Sequence, residues 1–297
     1  MENDLKLSDV LSRDELRQLQ EKSNIRALSR LAGTWALIAA AFAIAINWPN
    51  PFTILAGTLV LAGRQLSLGV INHDCAHHAF FKSEAVNHVV GHWLAGAPVN
   101  ISLPAYRAYH LQHHKFAGTP DDPDIGFVKS YPVAPQSLKR KFTRDLTGRT
   151  GIRDMMVRLK NFDIGENYPW LSFHVVLILT LTLCGAPWAY AMWWAAELFI
   201  LPAIVRLRQI GEHGAALDRS SQDPRLNTGT TLAPWWQKMF IAPNDVNYHV
   251  EHHYFASVPP YNLRRAHDLL SARGFYDGYD CIARGYGDVL RRAVRAP

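Results

Sequence analysis

Histidines dominate the residues able to do chemistry, and nine of the 14 fall into three short clusters. The clusters read HDCAHH at residues 73–78, HLQHH at 110–114 and HVEHH at 249–253. Side chains three or four positions apart share one face of a helix, so each cluster can direct several imidazoles at one point. Neutral imidazole is a common ligand of transition metals, and a closed zinc site needs only four ligands. Eight or nine imidazoles therefore indicate two metal ions. Because imidazole suits zinc, copper, iron and nickel alike, the spacing leaves the metal open.

Two long uncharged stretches must position these clusters. Residues 31–63 and 170–196 contain no Asp, Glu, Lys or Arg. A membrane-spanning helix needs about 20 apolar residues, so each stretch with its flanks has room for a helical hairpin. We predict four spans, at residues 31–48, 52–71, 168–184 and 187–205, which form membrane hairpins over 31–71 and 168–205. Arg64 in the second span requires a polar partner or a route to the interface. Residues 89–103 contain glycine and proline and favour a re-entrant or interfacial hairpin.

The basic residues set the expected orientation. Six Lys or Arg precede the first span and nine lie in residues 129–160, whereas the two short turns carry none. The positive-inside rule therefore places both termini and the middle segment in the cytoplasm. A capping-box pattern at Ser12 and Glu15 predicts a helix over residues 13–30, within a cytoplasmic N-terminal segment 1–30. Residues 72–167 and 206–297 are expected to form a cytoplasmic cap. We therefore predict one all-α integral membrane domain of four transmembrane helices, with a helical cap that holds a dimetal site.

The charge and the order of the clusters fit this arrangement. The 297-residue chain has a formal net charge of +6, and its basic residues flank membrane segments. Anionic lipid head groups are the expected counter-charge, and no nucleic-acid partner is expected. The first histidine cluster follows the second span, the second cluster follows the hairpin that does not cross, and the third follows the fourth span. All three clusters emerge on the cytoplasmic side, so the membrane and metal interpretations support each other.

The three clusters, in this order and around paired spans, resemble the histidine boxes of the membrane fatty acid desaturase and hydroxylase superfamily. The resemblance covers about residues 63–267. The segments HHKFAGTPDDPDI at 113–125 and NYHVEHHYFASVPPYNL at 247–263 are similar to the corresponding parts of bacterial acyl desaturases. Three boxes together are specific for the superfamily and much less specific for the substrate.

This resemblance implies two non-haem iron ions facing the cytoplasm, with dioxygen as co-substrate. A ninth histidine ligand lies on the helix that leaves the fourth span, and His213 in RQIGEHG fits that place. His78 remains an alternative to His77, and Gln209, one helical turn before His213, is a candidate to hold a metal-bound water. We expect His88, His92, His174 and His267 to be structural. The implied iron ligands are His73, His77, His110, His113, His114, His213, His249, His252 and His253.

Carboxylates beside the boxes are candidates to accept the second N–H of a ligating imidazole. We expect Asp74, Asp124 and Glu212 to do so. Other carboxylates near the boxes are expected to be solvated surface charges. The full set of nearby carboxylates is Asp74, Asp121, Asp124, Glu212, Asp245 and Glu251.

The expected reaction is oxidation of an aliphatic substrate in the membrane. No side-chain acid or base can remove hydrogen from an unactivated methylene, whereas paired irons with dioxygen supply a sufficient oxidant. The resemblance favours desaturation of an acyl chain or a related substrate. Hydroxylation or ketone formation on a lipid or carotenoid is the alternative, because small differences in substrate position change the outcome.

The electrons must come from a separate protein. The sequence has no GxGxxG opening a helix, no CxxC cluster and no His-Pro-Gly-Gly of a fused haem domain. We therefore expect a ferredoxin, or a small cytochrome with its reductase, as the donor.

Two rival functions use the same residue types. A membrane zinc hydrolase needs only three or four histidines to activate water, and the surplus of imidazoles argues against it. A metal transporter or sensor requires polar ligands inside the spans, where only His174 and Glu197 lie.

Overall fold

The computed structural model describes residues 7–295, which are mostly helical. The first six residues of the predicted N-terminal segment and the last two of the predicted cap lie outside the described residues. Two short strands, β1 (Thr230–Thr231) and β2 (Ile282–Ala283), pair in parallel. The α-helices are α1 (Leu7–Val10), α2 (Arg13–Leu19), α3 (Asn24–Asn47), α4 (Pro51–Ala76), α5 (Glu84–Val89), α6 (Leu103–Phe116), α7 (Ile125–Val128), α8 (Pro135–Leu146), α9 (Arg149–Lys160), α10 (Ile164–Leu183), α11 (Tyr190–Ala195), α12 (Leu201–Gln209), α13 (Pro224–Asn227), α14 (Trp235–Phe240), α15 (His249–Tyr254), α16 (Pro260–Ala272) and α17 (Tyr286–Arg292).

Six short helical segments of other types interrupt or join these helices. Three are π-helical, at Val90–Gly96, Ala196–Ile200 and Ile210–Gly214, and three are 3₁₀ turns, at Ala97–Val99, Pro187–Ala189 and Pro243–Asp245. The last two π segments interrupt one long helix, so that Pro187–Gly214 runs as a continuous rod from the predicted fourth span to the region of His213. π segments in such helices frequently mark functional sites.

Three stretches of the described chain are long and apolar enough to cross a membrane: Arg13–Asn47, Pro51–Ala76 and Pro187–Gly214. They contain the predicted second and fourth spans and all of the first except Trp48. The predicted third span is helical as α10, but it is not among these three stretches, and the four-span arrangement stays a prediction. The predicted turn between the first two spans is present, because Asn50 caps α4 and Pro51 starts it.

The predicted single helix over residues 13–30 is wrong. The capping box that begins α2 is present, but the helix ends at Leu19 and α3 starts at Asn24. The break is held by α16: the Ser23 backbone N–H donates to the Tyr261 hydroxyl at 2.7 Å, and the Asn262 amide donates to the Leu19 carbonyl at 2.9 Å. These partners lie more than 230 positions away in sequence, so no local pattern predicts the break.

The helical segment between α5 and α6 packs closely against α4. A Cβ at Gly91 would lie 2.6 Å from Cys75 Cβ, and a Cβ at Gly96 would lie 2.6 Å from Asn72 Nδ2. Only glycine permits these approaches. The Asn72 amide also donates to the Gly91 carbonyl at 2.9 Å. This packing brings α6, with the second histidine cluster, beside the end of α4.

Arg64 has the polar partner that its position requires. Its side chain is buried, and its guanidinium donates to the Met239 carbonyl in α14. The contact ties the middle of α4 to the C-terminal half of the chain, which also carries α15.

Candidate metal centre

The nine histidines proposed as ligands form two groups. A five-histidine group contains His73, His77, His110, His114 and His252, and a four-histidine group contains His113, His213, His249 and His253. Within each group the candidate ligand atoms all lie within 4.8 Å of one another. Both α6 and α15 contribute to both groups, whereas α4 serves only the first and the π segment Ile210–Gly214 only the second. The groups are neighbours, since the His114 and His253 rings stack with centroids 4.4 Å apart.

The imidazole nitrogens converge as a metal ion requires. His114 Nε2 lies 3.0 Å from Nε2 of both His110 and His252. In the other group, His213 Nε2 lies 3.2 Å from His113 Nε2 and 2.9 Å from His249 Nε2. Two nitrogens bound to one ion at about 2.1 Å lie roughly 3 Å apart. Each group therefore presents several lone pairs to one point.

Hydrogen bonds at the opposite ring nitrogen orient three of these imidazoles. His73 Nδ1 donates to Asp74 Oδ1 at 2.9 Å, and His113 Nδ1 donates to Asp122 Oδ1 at 2.8 Å. His213 Nδ1 donates to the Asn227 carbonyl at 3.1 Å. Such bonds fix the tautomer and leave Nε2 free to bind metal.

Burial keeps most of the imidazoles outside the apolar stretches neutral. It lowers the pKa of His77 from 6.5 to about 4 and that of His114 to about 2, and neighbouring imidazoles add to the effect. Burial alone would also lower the pKa of His113, but the hydrogen bond to Asp122 and the charge of Asp124 outweigh it and raise that pKa. The pKa is held well below 6.5, chiefly by burial, at His110, His249, His252 and His253. Neutral imidazole is the form that binds metal.

The sequence of residues 46–281 matches the family model for Fatty acid desaturase. The chain belongs to the fatty acid desaturase family. It is thus a desaturase-like enzyme of the membrane, and its histidine clusters are consistent with the histidine boxes of that family.

Curated relatives agree with this assignment. The sn-1 oleoyl-lipid 12-desaturase of Synechocystis sp. is 28% identical over 90% of this chain and 82% of the relative. The dihydrorhizobitoxine desaturase of Bradyrhizobium elkanii is 22% identical over 94% of this chain and 84% of the relative. The sn-1 acyl-lipid omega-3 desaturase (ferredoxin) of Nostoc sp. is 22% identical over 74% of this chain and 66% of the relative.

In this desaturase-family chain, His77 rather than His78 lies with the other imidazoles. His78 belongs to neither group. Its backbone adopts a positive φ of 53°, and its Nε2 is hydrogen-bonded with the Arg107 guanidinium. The turn at His78 follows the end of α4 and directs the side chain away from the centre.

The three expected carboxylates differ in their distances to an imidazole. Asp74 bonds to His73 as expected. Asp124 Oδ2 lies 3.6 Å from His113 Nδ1, and Asp124 Oδ1 accepts a hydrogen bond from the Tyr109 hydroxyl. Glu212 Oε1 lies 3.9 Å from His249 Nδ1, which is beyond hydrogen-bonding distance.

Asp122 is the carboxylate that the sequence interpretation missed. It forms the short bond to His113, and the Asp124 backbone N–H donates to its Oδ1 at 2.8 Å. The segment TPDDPD offers three aspartates, and only the turn geometry decides which of them faces the imidazole. Nothing in the local sequence separates Asp122 from its neighbours.

A small cavity of about 40 Å³ borders both histidine groups. Its wall includes Gln209, the residue proposed to hold a metal-bound water, together with Tyr106 and Phe127. Arg208 and Glu212 also line it, with Arg208 Nε 3.1 Å from Glu212 Oε1. The cavity therefore lies directly beside both histidine groups.

Glu251 fixes the position of the third histidine box, residues 249–253, through hydrogen bonds. This side chain is fully buried on the face of α15 opposite the ligands. Its Oε1 accepts from His267 Nδ1 at 2.5 Å and from the Tyr276 hydroxyl at 2.6 Å, and its Oε2 accepts from Thr230 Oγ1 at 2.5 Å. A six-residue helix is not stable alone, so these bonds fix the direction of three ligands.

The remaining histidines lie outside both groups. His174 Nδ1 is 2.8 Å from the Tyr190 hydroxyl, and the His88 and His92 rings stack with centroids 6.0 Å apart. His267 supports Glu251. The structure therefore places these four away from the candidate ligands, as expected for structural residues.

Proposed function

We propose that this enzyme is an oxygen-dependent di-iron desaturase that removes two hydrogens from adjacent carbons of an acyl chain or related aliphatic substrate at the membrane. The observation that carries the proposal is the division of nine buried or half-buried imidazoles into two adjacent groups of five and four. A zinc hydrolase needs only one such group.

The donor set fits two iron ions. Each group offers only imidazole nitrogens as ligands, which suit Fe(II) among other transition metals. His77 Nε2 is buried and has no hydrogen-bond partner within residues 7–295, as expected of an atom whose partner is a cation. When bound, the irons with dioxygen supply an oxidant that can break the C–H bond of an unactivated methylene.

Residues of the chain position the metal ligands and enclose the space beside them. The helices α6 and α15 fix the spacing of the two groups, because each donates ligands to both. Asp74 and Asp122 orient imidazoles through their Nδ1 atoms. Tyr106 and Phe127 line the cavity beside the groups, where they exclude bulk water and orient the substrate.

We also propose four transmembrane helices, with the metal centre and both termini cytoplasmic, in a single domain over residues 1–297. In a bacterium this is the inner membrane. The distribution of basic residues supports the orientation. His73 lies near the C-terminal end of Pro51–Ala76, and His213 near that of Pro187–Gly214. Two spans that run in the same direction thus deliver ligands to the same side.

The electron donor is proposed to be a separate ferredoxin, or a small cytochrome with its reductase. The name of the Nostoc relative includes ferredoxin. The basic residues of α8 and α9 offer a surface to which an acidic carrier is attracted. No nucleic-acid partner is proposed.

The test is expression with a competent ferredoxin and reductase, followed by mass spectrometry of lipid extracts and metal analysis of the purified protein. We expect an oxygen-dependent product that has lost two hydrogens. We also expect the purified protein to contain two irons per chain. A gain of one oxygen instead indicates the hydroxylase or ketolase alternative, and bound zinc with oxygen-independent hydrolysis indicates the hydrolase. His252→Ala should abolish the product, whereas His88→Ala, an exposed histidine outside both groups, should retain it.

A further inference from the structure

A larger cavity of about 330 Å³ lies between α9 and the rod Pro187–Gly214. Phe127 and Gln209 line both this cavity and the small cavity at the metal centre. The two spaces are therefore separated by a shared wall of two side chains. We refer to the larger one as the outer cavity.

The outer cavity is amphipathic. Leu201 and Val205 provide apolar wall on the rod, while Arg153 and Arg158 of α9 bring guanidinium groups. Arg153 is paired with Asp154 and Arg158 with Glu197, so ion pairs form the polar part of the lining beside the apolar wall. The lining suits a ligand that has both an aliphatic and a polar part.

Glu197 is the feature of this cavity that calls for a ligand. It lies in the π segment Ala196–Ile200 and is only 5% exposed. Its Oε1 accepts from Arg158 Nη1 at 2.7 Å, but its Oε2 is buried without a hydrogen-bond partner in the described chain, residues 7–295. A buried carboxylate oxygen left unpaired is destabilising, and an ionisable residue inside a membrane helix is by default a functional candidate.

A purely structural role does not account for both oxygens. The tie from Arg158 uses one of them. Gly151 permits the close approach of α9 to the rod, because a Cβ there would lie 2.4 Å from the Leu198 carbonyl oxygen. By contrast, the neighbouring Arg153–Asp154 pair is well exposed, with 63% and 48% of its side-chain surfaces accessible, and needs no ligand.

We propose that the outer cavity binds the polar head of the substrate. The head presents a hydrogen-bond donor, an ammonium or hydroxyl group, to Glu197 Oε2 and an anionic group to Arg158, while its aliphatic part passes Phe127 and Gln209 toward the metal centre. The assignment rests on the proposed desaturase function and adds a substrate class, a zwitterionic or hydroxylated amphiphile. Its two sources are a lipid head group and a free zwitterion such as an aliphatic amino acid.

The experiment measures binding without turnover. The full chain is placed in nanodiscs of dioleoyl phosphatidylcholine, whose head has no N–H or O–H donor. One arm adds dioleoyl phosphatidylethanolamine, and the other adds free norleucine. Native mass spectrometry counts the retained molecules. Wild type should retain one of these probes in preference to phosphatidylcholine, and the arm that does so identifies the source.

Glu197→Gln is the decisive variant. Glutamine still accepts from Arg158, so the tie to α9 remains, but the free carboxylate oxygen is lost. Retention of the probe should fall about tenfold, with an unchanged unfolding midpoint. Asp154→Asn, a change in the exposed carboxylate of the same cavity, should behave as wild type. Equal retention by wild type and Glu197→Gln, with loss only in Glu197→Ala, would mean that the tie alone matters and would overturn the proposal. Failure of wild type to prefer either probe would do the same.

Iron content and product formation are assayed separately on the same preparations. Probe retention that depends on Glu197, without any desaturated product, would contradict the proposed function and leave this site standing. A desaturated product with a Glu197-independent binding profile would contradict this site alone.

Discussion

Glu251 Oε1 lies 2.6 Å from the Tyr276 hydroxyl, on the side of α15 away from the ligands. Tyr276→Phe removes this donor and little else. We expect the free energy of unfolding to fall by about 2 kcal/mol, because a hydrogen bond to a buried charged group is lost. Iron should also be released more readily from both groups, since α15 serves both. Chelator-driven iron release and thermal unfolding in detergent measure the two effects.

Tyr168→Phe, at an exposed tyrosine, is the matched control and should change neither quantity. If Tyr276→Phe loses stability while iron release keeps the wild-type rate, then the bond supports the fold without positioning the ligands.

The three aspartates after the second box provide a graded test of the support of His113. Asp122→Asn weakens the acceptor at 2.8 Å from His113 Nδ1. We expect iron affinity of the four-histidine group to fall by 10-fold or more, on the order of what such supporting residues contribute. Asp124→Asn, at 3.6 Å, should have a smaller effect, and the exposed Asp121→Asn none. Metal titration after chelation gives the order, and an equal loss in all three variants would contradict it.

The convergence of the histidines could be predicted because the box spacing is a local helical property. The division into groups of five and four could not. It depends on the rotation of α6 and α15 about their axes, which places His110 and His114 toward one point and His113 toward the other. The orientation of α15 is held by tertiary contacts such as that of Glu251 with Tyr276, 25 positions away, and no local pattern predicts them.

The membrane spans show the same limit. The uncharged stretches predicted the positions of three membrane-length helices. Their apolar pattern ends at the expected membrane boundary, so it does not predict how far each helix extends beyond the membrane. The helices continue to Ala76 and Gly214, and those extensions carry His73 and His213. The break between α2 and α3 depends on Tyr261 and Asn262, so the capping signal at Ser12 predicted where the first helix begins and not where it ends.

Adjacent histidines in the first box should respond differently to mutation. His77 lies in the five-histidine group, whereas His78 is bonded with Arg107 outside it. His77→Ala should therefore reduce bound iron and abolish turnover, and His78→Ala should keep two irons per chain with a modest loss of stability. Iron analysis of both purified variants decides this. Loss of iron in His78→Ala alone would reverse the assignment.

The metal-free protein should become less stable as the pH falls below about 6.5. In the folded chain, burial lowers the pKa of His77 to about 4 and of His114 to about 2, and holds those of His110, His249, His252 and His253 well below 6.5. Above pH 6.5 these imidazoles are neutral in both states and contribute no pH dependence. Below it, the unfolded chain takes up protons that the folded chain does not bind, so each such histidine lowers stability by up to about 1.4 kcal/mol per pH unit. Thermal unfolding of chelated protein between about pH 7 and 5 measures the slope. His114→Ala should reduce the slope of stability against pH, whereas His88→Ala should leave it unchanged. An unfolding midpoint that stays constant down to pH 5 would contradict the prediction that these imidazoles are buried in the neutral form.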